Sequence, residues 1–160
     1  MSSSFEHTFT QLGLTLPSPP RPVATYIPAV QAGNLLFLSG TLPFRDGKLV
    51  MEGKLGTDLT VEQGYEAAKV ALLNALAIIR QELGTIDRVK KIIRMVGYVA
   101  SAGGFVQQPA VMNGASDLLL KIFGEAGRHA RVAVGAAELP LHAPVEIELI
   151  VQLHDATSER

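Results

Sequence analysis

The sequence predicts an α+β domain in which a mixed β-sheet carries two long helices on one face, and three observations lead to that class. Val61, Tyr65, Ala68, Leu72, Leu76, Ile79 and Leu83 recur at steps of three or four between a capping-box pair, Thr60 and Gln63, and Gly84, which defines one long amphipathic helix. Val145, Ile147, Leu149, Val151 and Leu153 alternate instead with period two, which defines a strand with one apolar face. The elements read in the order strand, strand, helix, strand, helix, strand, strand, which is neither a simple βα alternation nor an all-β pattern.

Taken from the start, Ser3 and Glu6 have capping-box spacing, and Phe5, Phe9 and Leu12 share a helical face that ends at Gly13. Five prolines between Pro17 and Pro28 remove amide donors and fix φ, so an extended strap follows this short docking helix. Residues 1–25 are thus an N-terminal helix and strap, and residues 26–155 the α+β body of a single domain. Gly33-Asn34 is a turn into Leu35-Leu36-Phe37-Leu38-Ser39, an apolar run suited to a strand buried on both faces. Arg45-Asp46-Gly47 turns the chain back, which predicts a hairpin from Leu35 to Met51 with a long loop. After the long helix, residues 88–101 read as a strand whose even positions carry Arg88, Lys90 and Arg94, either a phosphate-binding stripe or an exposed edge face. Ser101-Ala102-Gly103-Gly104 is a turn, with neither the ending of a P-loop nor the spacing of a dinucleotide fold. A second helix follows, with Pro109 in its first turn, Met112, Ala115, Leu119, Leu120 and Phe123 on its apolar side and Gly124 at its end.

At 160 residues the chain suits one domain with a sizeable core. A formal charge of −1 supplies no global field for nucleic acid or an acidic membrane, so anion binding has to be local. Zero cysteines exclude disulfides, zinc–thiolate centres and thiol nucleophiles. His7, His129, His142 and His154 have no metal-ligand spacing, so no metal site is expected. The mean hydropathy of +0.26 is high for a domain with 18% charged residues. Its longest apolar region, Ile92 to Val106, is broken by Arg94 and by glycines, so no membrane span is expected and the apolar surplus points to surface covered between subunits. The N-terminus lacks a basic and a hydrophobic region of the secretory kind, which predicts a cytoplasmic protein.

Chemistry is expected in residues 131–152. Arg131, Ala133, Gly135 and Ala137 share one strand face, so a cation stands over small residues, while Glu146 and Glu148 share the polar face of the following strand. Taken singly, a Glu or Arg on a strand is more often a solvated residue or a structural ion pair. If the two strands paired as a plain hairpin, Ala137 would oppose Glu146 and Arg131 would lie ~20 Å along the strand, too far to share a substrate. Either the strands are not neighbours or Arg and Glu meet across a subunit boundary.

Residues 33–40 (GNLLFLSG), Ala130-Arg131, Glu138-Leu139-Pro140 and Val145-Glu146-Ile147-Glu148 together resemble the reactive imine deaminase family, RidA/YjgF-type, also labelled endoribonuclease L-PSP. The resemblance spans roughly Tyr26 to Leu153 and is to a longer subgroup with an N-terminal extension. It implies a chorismate mutase-like fold and a homotrimer with ligand clefts between subunits. It further implies cofactor-free hydrolysis of 2-imino acids, of the 2-iminopropanoate and 2-iminobutanoate type, to the keto acid and ammonia. Carried over, Arg131 grips the substrate carboxylate, Glu146 positions water, Tyr26 lines the cleft, and Ser39 and Gly40 meet the ligand. Ala133 stands where many family deaminases have Cys, and His129 replaces a Pro before Ala-Arg; His129 and Glu148 are rim candidates. Two further readings stay open: a non-catalytic trimer that binds a small carboxylate, and an RNA-cleaving or RNA-binding protein, although nucleic acid is the less expected partner.

Overall fold

A computed structural model gives the structure, which describes residues 4–22 and 24–155. The elements in chain order are α1 (Phe5–Gln11), β1 (Ala29–Ala32), β2 (Leu35–Leu38), β3 (Phe44–Arg45), β4 (Lys48–Leu49), α2 (Val61–Leu83), β5 (Val89–Ala100), α3 (Gln108–Phe123), β6 (Ala130–Ala136) and β7 (Val145–Leu153). Five strands form one sheet in the order β1-β2-β7-β5-β6. All neighbours are antiparallel except β5 and β6, whose parallel pairing is made possible by the α3 crossover.

The two long helices form as their sequence dictates. Thr60 and Gln63 close a reciprocal capping box at the start of α2, and Gly84 ends it in the left-handed region that a side chain disfavours. Helix α2 supplies Leu72, Leu76 and Ile79, and α3 supplies Met112, Leu119 and Ile122, to a core against Ile92 and Met95 of β5 and Ile147, Leu149 and Val151 of β7. Gly97 of β5 has no side chain because Met112 fills the space a Cβ would need. The apolar face of β7 is therefore the helix-covered face, and the opposite face of the sheet carries no helix among the described residues.

Several local expectations are corrected. The predicted first strand is preceded by β1, which pairs with β2 around the Gly33-Asn34 turn. Burial of β2 is one-sided: Leu36 and Leu38 are buried, but Phe37 is 40% exposed on the uncovered face. No Leu35–Met51 hairpin forms, because β2 pairs with β1 and β7 while β3 and β4 make a separate ribbon. The Asp46-Gly47 turn itself is present, with both residues at positive φ (52° and 77°), as a two-residue hairpin requires. Register shifts in β5 between Val89 and Lys91 and between Ile92 and Arg94 break its alternation, and Arg88 belongs to a preceding 3-10 turn. The even-numbered basic stripe is thus not one face: Lys91 and Arg94 are the residues opposite Gln152 and Ile150.

Ser3 lies outside the described residues; Ser4 caps α1 by accepting from the His7 amide. Glu6 lies in the first turn of α1. Its carboxylate accepts from the Thr85 hydroxyl and the Ile86 amide at 3.2 and 3.1 Å, and Phe5 meets Phe123 edge-on with ring centroids 4.7 Å apart, so α1 is fastened to the ends of α2 and α3.

Candidate functional site

Strand order decides where the charged residues of β6 and β7 point. These strands are not neighbours, since β5 lies between them; Met95 faces Arg131 on one side and Leu149 on the other, and Tyr98 faces Val134 and Glu146. Directly paired residues share a face, so Arg131 and Ala133, level with Met95 and Gly97, lie on the helix-covered face at the β6 edge. Glu146 and Glu148, level with Tyr98 and Val96, lie on the uncovered face. Within one chain Arg131 and Glu146 are therefore on opposite faces, three rungs apart.

On its face Arg131 is anchored by α3. Its Nη1 donates to Asn113 Oδ1 at 2.8 Å and Ser116 Oγ at 3.1 Å, and its Nη2 donates to the Pro109 carbonyl at 3.4 Å. Pro109, Asn113 and Ser116 follow at i, i+4 and i+7, one line along the helix. The Nε–H and one Nη2–H have no protein partner among the described residues, which leaves two prongs of the guanidinium for a carboxylate. His129 is tied into the same cluster: its Nδ1 donates to the Gly127 carbonyl at 2.6 Å, so its Nε2 accepts from Ser116 Oγ at 3.0 Å. Ser116 thereby accepts from Arg131 while donating to His129. Asn113 and Ser116 were not singled out from the sequence, although a serine within the apolar stripe of Met112, Ala115 and Leu119 is the signal that could have found it.

On the uncovered face the Glu146 carboxylate sits against Gly40, in the space a Cβ there would occupy. Partial burial, and secondarily the charge of Glu148, hold the Glu146 carboxyl above its ordinary range. Tyr98, also absent from the sequence-based set, is kept in its phenol form by burial and then by Glu148 and Glu146, with Arg94 acting in the opposite sense. Tyr26, Ser39 and Gly40 line one cavity with Pro20, Arg21, Pro22 and Phe44. The Ser39 hydroxyl donates to the Ile27 carbonyl at 2.7 Å, which fixes the strap residues to the start of the Ser-Gly pair. Sequence reasoning placed Tyr26, Ser39, Gly40, Arg131, Ala133 and Glu146 in one site; Tyr26, Ser39 and Gly40 line this cavity, and Glu146 reaches Gly40 from the uncovered face. Arg131, Ala133 and His129 form a second group.

Glu138, in the β6–β7 connection, pairs with Lys54 at 2.7 Å on the surface. The next turn holds Leu141 and His142 at positive φ (59° and 60°), beside a cavity of about 420 Å³ lined by Glu52, Lys54, Asp58 and Glu138. Among the described residues no three His, Asp or Glu side chains are grouped so as to hold a metal ion, and no helix is long and apolar enough to cross a membrane.

The family model described as "YjgF/chorismate mutase-like, putative endoribonuclease" matches residues 6–153. The chain belongs to the YjgF family. Its three helices and mixed sheet are the YjgF fold. Protein TCP17 of Trypanosoma cruzi is 42% identical over 146 residues, 91% of each chain. The crystal structure of protein Atu1372, of unknown function, from Agrobacterium tumefaciens superposes with a TM-score of 0.87 at 42% identity, covering 94% of this chain and 92% of that one. A 2-iminobutanoate/2-iminopropanoate deaminase of Dermatophagoides farinae is a more distant YjgF relative, 30% identical over 138 residues, 86% of this chain and 93% of its own.

Proposed function

We propose that this YjgF chain hydrolyses small 2-imino acids to the keto acid and ammonia without a cofactor, at clefts shared between copies of a homotrimer. The observation that carries this reading is Glu146: a partly buried carboxylate, raised toward the proton-accepting range, seated on Gly40 beside the cavity of Tyr26 and Ser39. In this reading the two free prongs of Arg131 from a neighbouring copy hold the substrate carboxylate, which fixes the plane of the C=N group. Glu146 accepts a proton from water as its oxygen attacks the imine carbon. Glu146 returns that proton to the imine nitrogen, giving the carbinolamine, which collapses as its hydroxyl proton passes through Glu146 to the same nitrogen, so that the C–N bond breaks, ammonia leaves and the C=O bond forms. Tyr98, kept protonated beside Glu146 and Glu148, is a donor for the same water. The split of Arg131 and Glu146 between opposite faces supports a site completed by a second chain.

A carboxylate-binding trimer without catalysis is the second reading. It is favoured by Ala133, which leaves no thiol beside Arg131, and by the α3 anchoring of Arg131, which needs nothing from Glu146. RNA binding is less well supported, because Lys91 and Arg94 share the uncovered face with Glu146 and Glu148.

Keto acid release from 2-iminopropanoate generated in situ, measured above the spontaneous rate, is the test, with calorimetric titration of pyruvate alongside. Glu146→Gln is expected to bind pyruvate yet lose at least about tenfold in turnover, and Arg131→Lys to lose binding nearly as fully as Arg131→Ala. Binding by the wild type with no acceleration would establish the second reading. If Arg131→Ala alters neither quantity, Arg131 is only an anchor for α3.

A further inference from the structure

Of the three bonds that hold Arg131 to α3, the one to Ser116 is the most sheltered. Ser116 is 9% exposed, whereas the bonds to Asn113 and to the Pro109 carbonyl lie at the exposed surface. A hydroxyl has one proton to give, and a serine inside a helix commonly gives it to the carbonyl one turn back. Ser116 gives it to His129 Nε2 instead, at 3.0 Å. That choice is imposed from outside the helix. A carbonyl cannot donate, so the 2.6 Å contact of His129 Nδ1 with the Gly127 carbonyl places a proton on Nδ1 and makes Nε2 the acceptor. Gly127 is itself fixed, because it packs so closely on the Leu119 carbonyl of α3 that a Cβ has no room. The result is one directed chain, Arg131 to Ser116 to His129 to Gly127, in which each donor meets the next acceptor.

We infer that His129 is a positioning residue for the carboxylate site: by taking the Ser116 proton it keeps the Ser116 oxygen turned to Arg131, and so holds the guanidinium with two donors free for a ligand. This rests on the proposed role of Arg131 as the carboxylate clamp. Without His129 the Ser116 hydroxyl turns back to its helix carbonyl and its oxygen leaves Nη1. Arg131 then keeps only the two exposed contacts, and its free donors are no longer pre-set for a planar carboxylate.

Two substitutions separate this role from simple packing. His129→Gln retains an acceptor near the place of Nε2 and loses the donor to Gly127, whereas His129→Asn retains a donor near the place of Nδ1 and does not reach Ser116. Calorimetric titration of the full-length chain with pyruvate is expected to show affinity about tenfold weaker in Ser116→Ala and in His129→Asn, and largely recovered in His129→Gln. The double variant Ser116→Ala/His129→Asn is expected to bind no more weakly than either single one, because both break the same chain. Ser116→Ala, the smaller change, keeps the test open should a His129 variant fail to fold. Recovery by His129→Asn rather than His129→Gln would show that His129 only holds the Gly127 turn, and losses that multiply in the double variant would show that it does not act through Ser116; either overturns the inference. If Arg131→Ala abolishes binding while Ser116→Ala and His129→Asn bind as the wild type does, the clamp stands and His129 has no part in it. If the wild type does not bind pyruvate, or Arg131→Ala binds it as tightly, the clamp itself fails and the role of His129 falls with it.

Discussion

Glu146 is a carboxylate whose environment works against its charge, and this has a consequence that can be measured without any substrate. Partial burial and the neighbouring Glu148 raise its pKa in the folded chain above the ordinary glutamate value of 4.5. The unfolded chain then releases the proton first as pH rises, so folding becomes less favourable from the ordinary glutamate range upward and the full penalty is reached above the raised folded value. At a pH below the ordinary value both states are protonated and the penalty is absent. Glu146→Gln removes the titration, so the difference in Tm between variant and wild type should move in favour of the variant between pH 4 and pH 8. A constant difference across that window, read by circular dichroism melting, would mean that Glu146 is solvated and its placement against Gly40 has no electrostatic weight. The strain has a functional counterpart, because a carboxylate held above its usual range is a better proton acceptor once ionised.

Among the elements, α2 and α3 set the geometry of everything else, and their contact depends on a missing side chain. A Cβ on Gly114 of α3 would collide with the Tyr65 backbone carbonyl of α2, which a rotamer change cannot relieve. Gly114→Ala is therefore expected to destabilise the fold by roughly 1–3 kcal/mol despite the better helix propensity of alanine, with the loss read as a lower urea midpoint. Unchanged or increased stability would show that the helices can separate at this crossing without cost. Helix α2 was legible in the sequence because its signals are local: capping pair, stripe and terminal glycine all fall within its own residues. The common face of Glu146 and Glu148 was legible for the same reason, since period two is a property of one strand. What escaped detection is non-local. The short strand β1 has no pattern of its own, the β5 bulges are set by pairing with β7, and the facing of Arg131 relative to Glu146 depends on β5 being inserted between their strands. Tyr98, Asn113 and Ser116 acquire significance only from the neighbours that this topology supplies.

For the whole molecule, the decisive feature is a sheet with one face covered by helices and the other bare. Val30, Phe37, Val132 and Val134 are 52, 40, 37 and 40% exposed, and the pairings of Val30 with Phe37, Phe37 with Ile150 and Val134 with Tyr98 place them on the face that also carries Glu146. Apolar exposure of this kind across a sheet marks a surface to be covered, and the −1 charge of the chain puts up little repulsion against self-association. The proposed homotrimer would cover it, and in that proposal the Arg131 of one copy meets the Glu146 of another. Sedimentation equilibrium should accordingly report about 51 kDa, three copies of the 17.1 kDa chain, at micromolar concentration. Val134→Glu puts a charge into the apolar part of that face beside Tyr98, and its side chain can reach water in an isolated chain, so the variant is expected to sediment as a monomer with the far-ultraviolet circular dichroism of the wild type. The monomer is further expected to lose pyruvate binding, since the cleft proposed between copies is then left open, with Arg131 on one face and Tyr26, Ser39 and Gly40 elsewhere in the same chain. A folded monomeric variant that binds pyruvate as tightly as the wild type would separate assembly from the site, and a wild type that is itself monomeric would leave the uncovered face without its proposed partner.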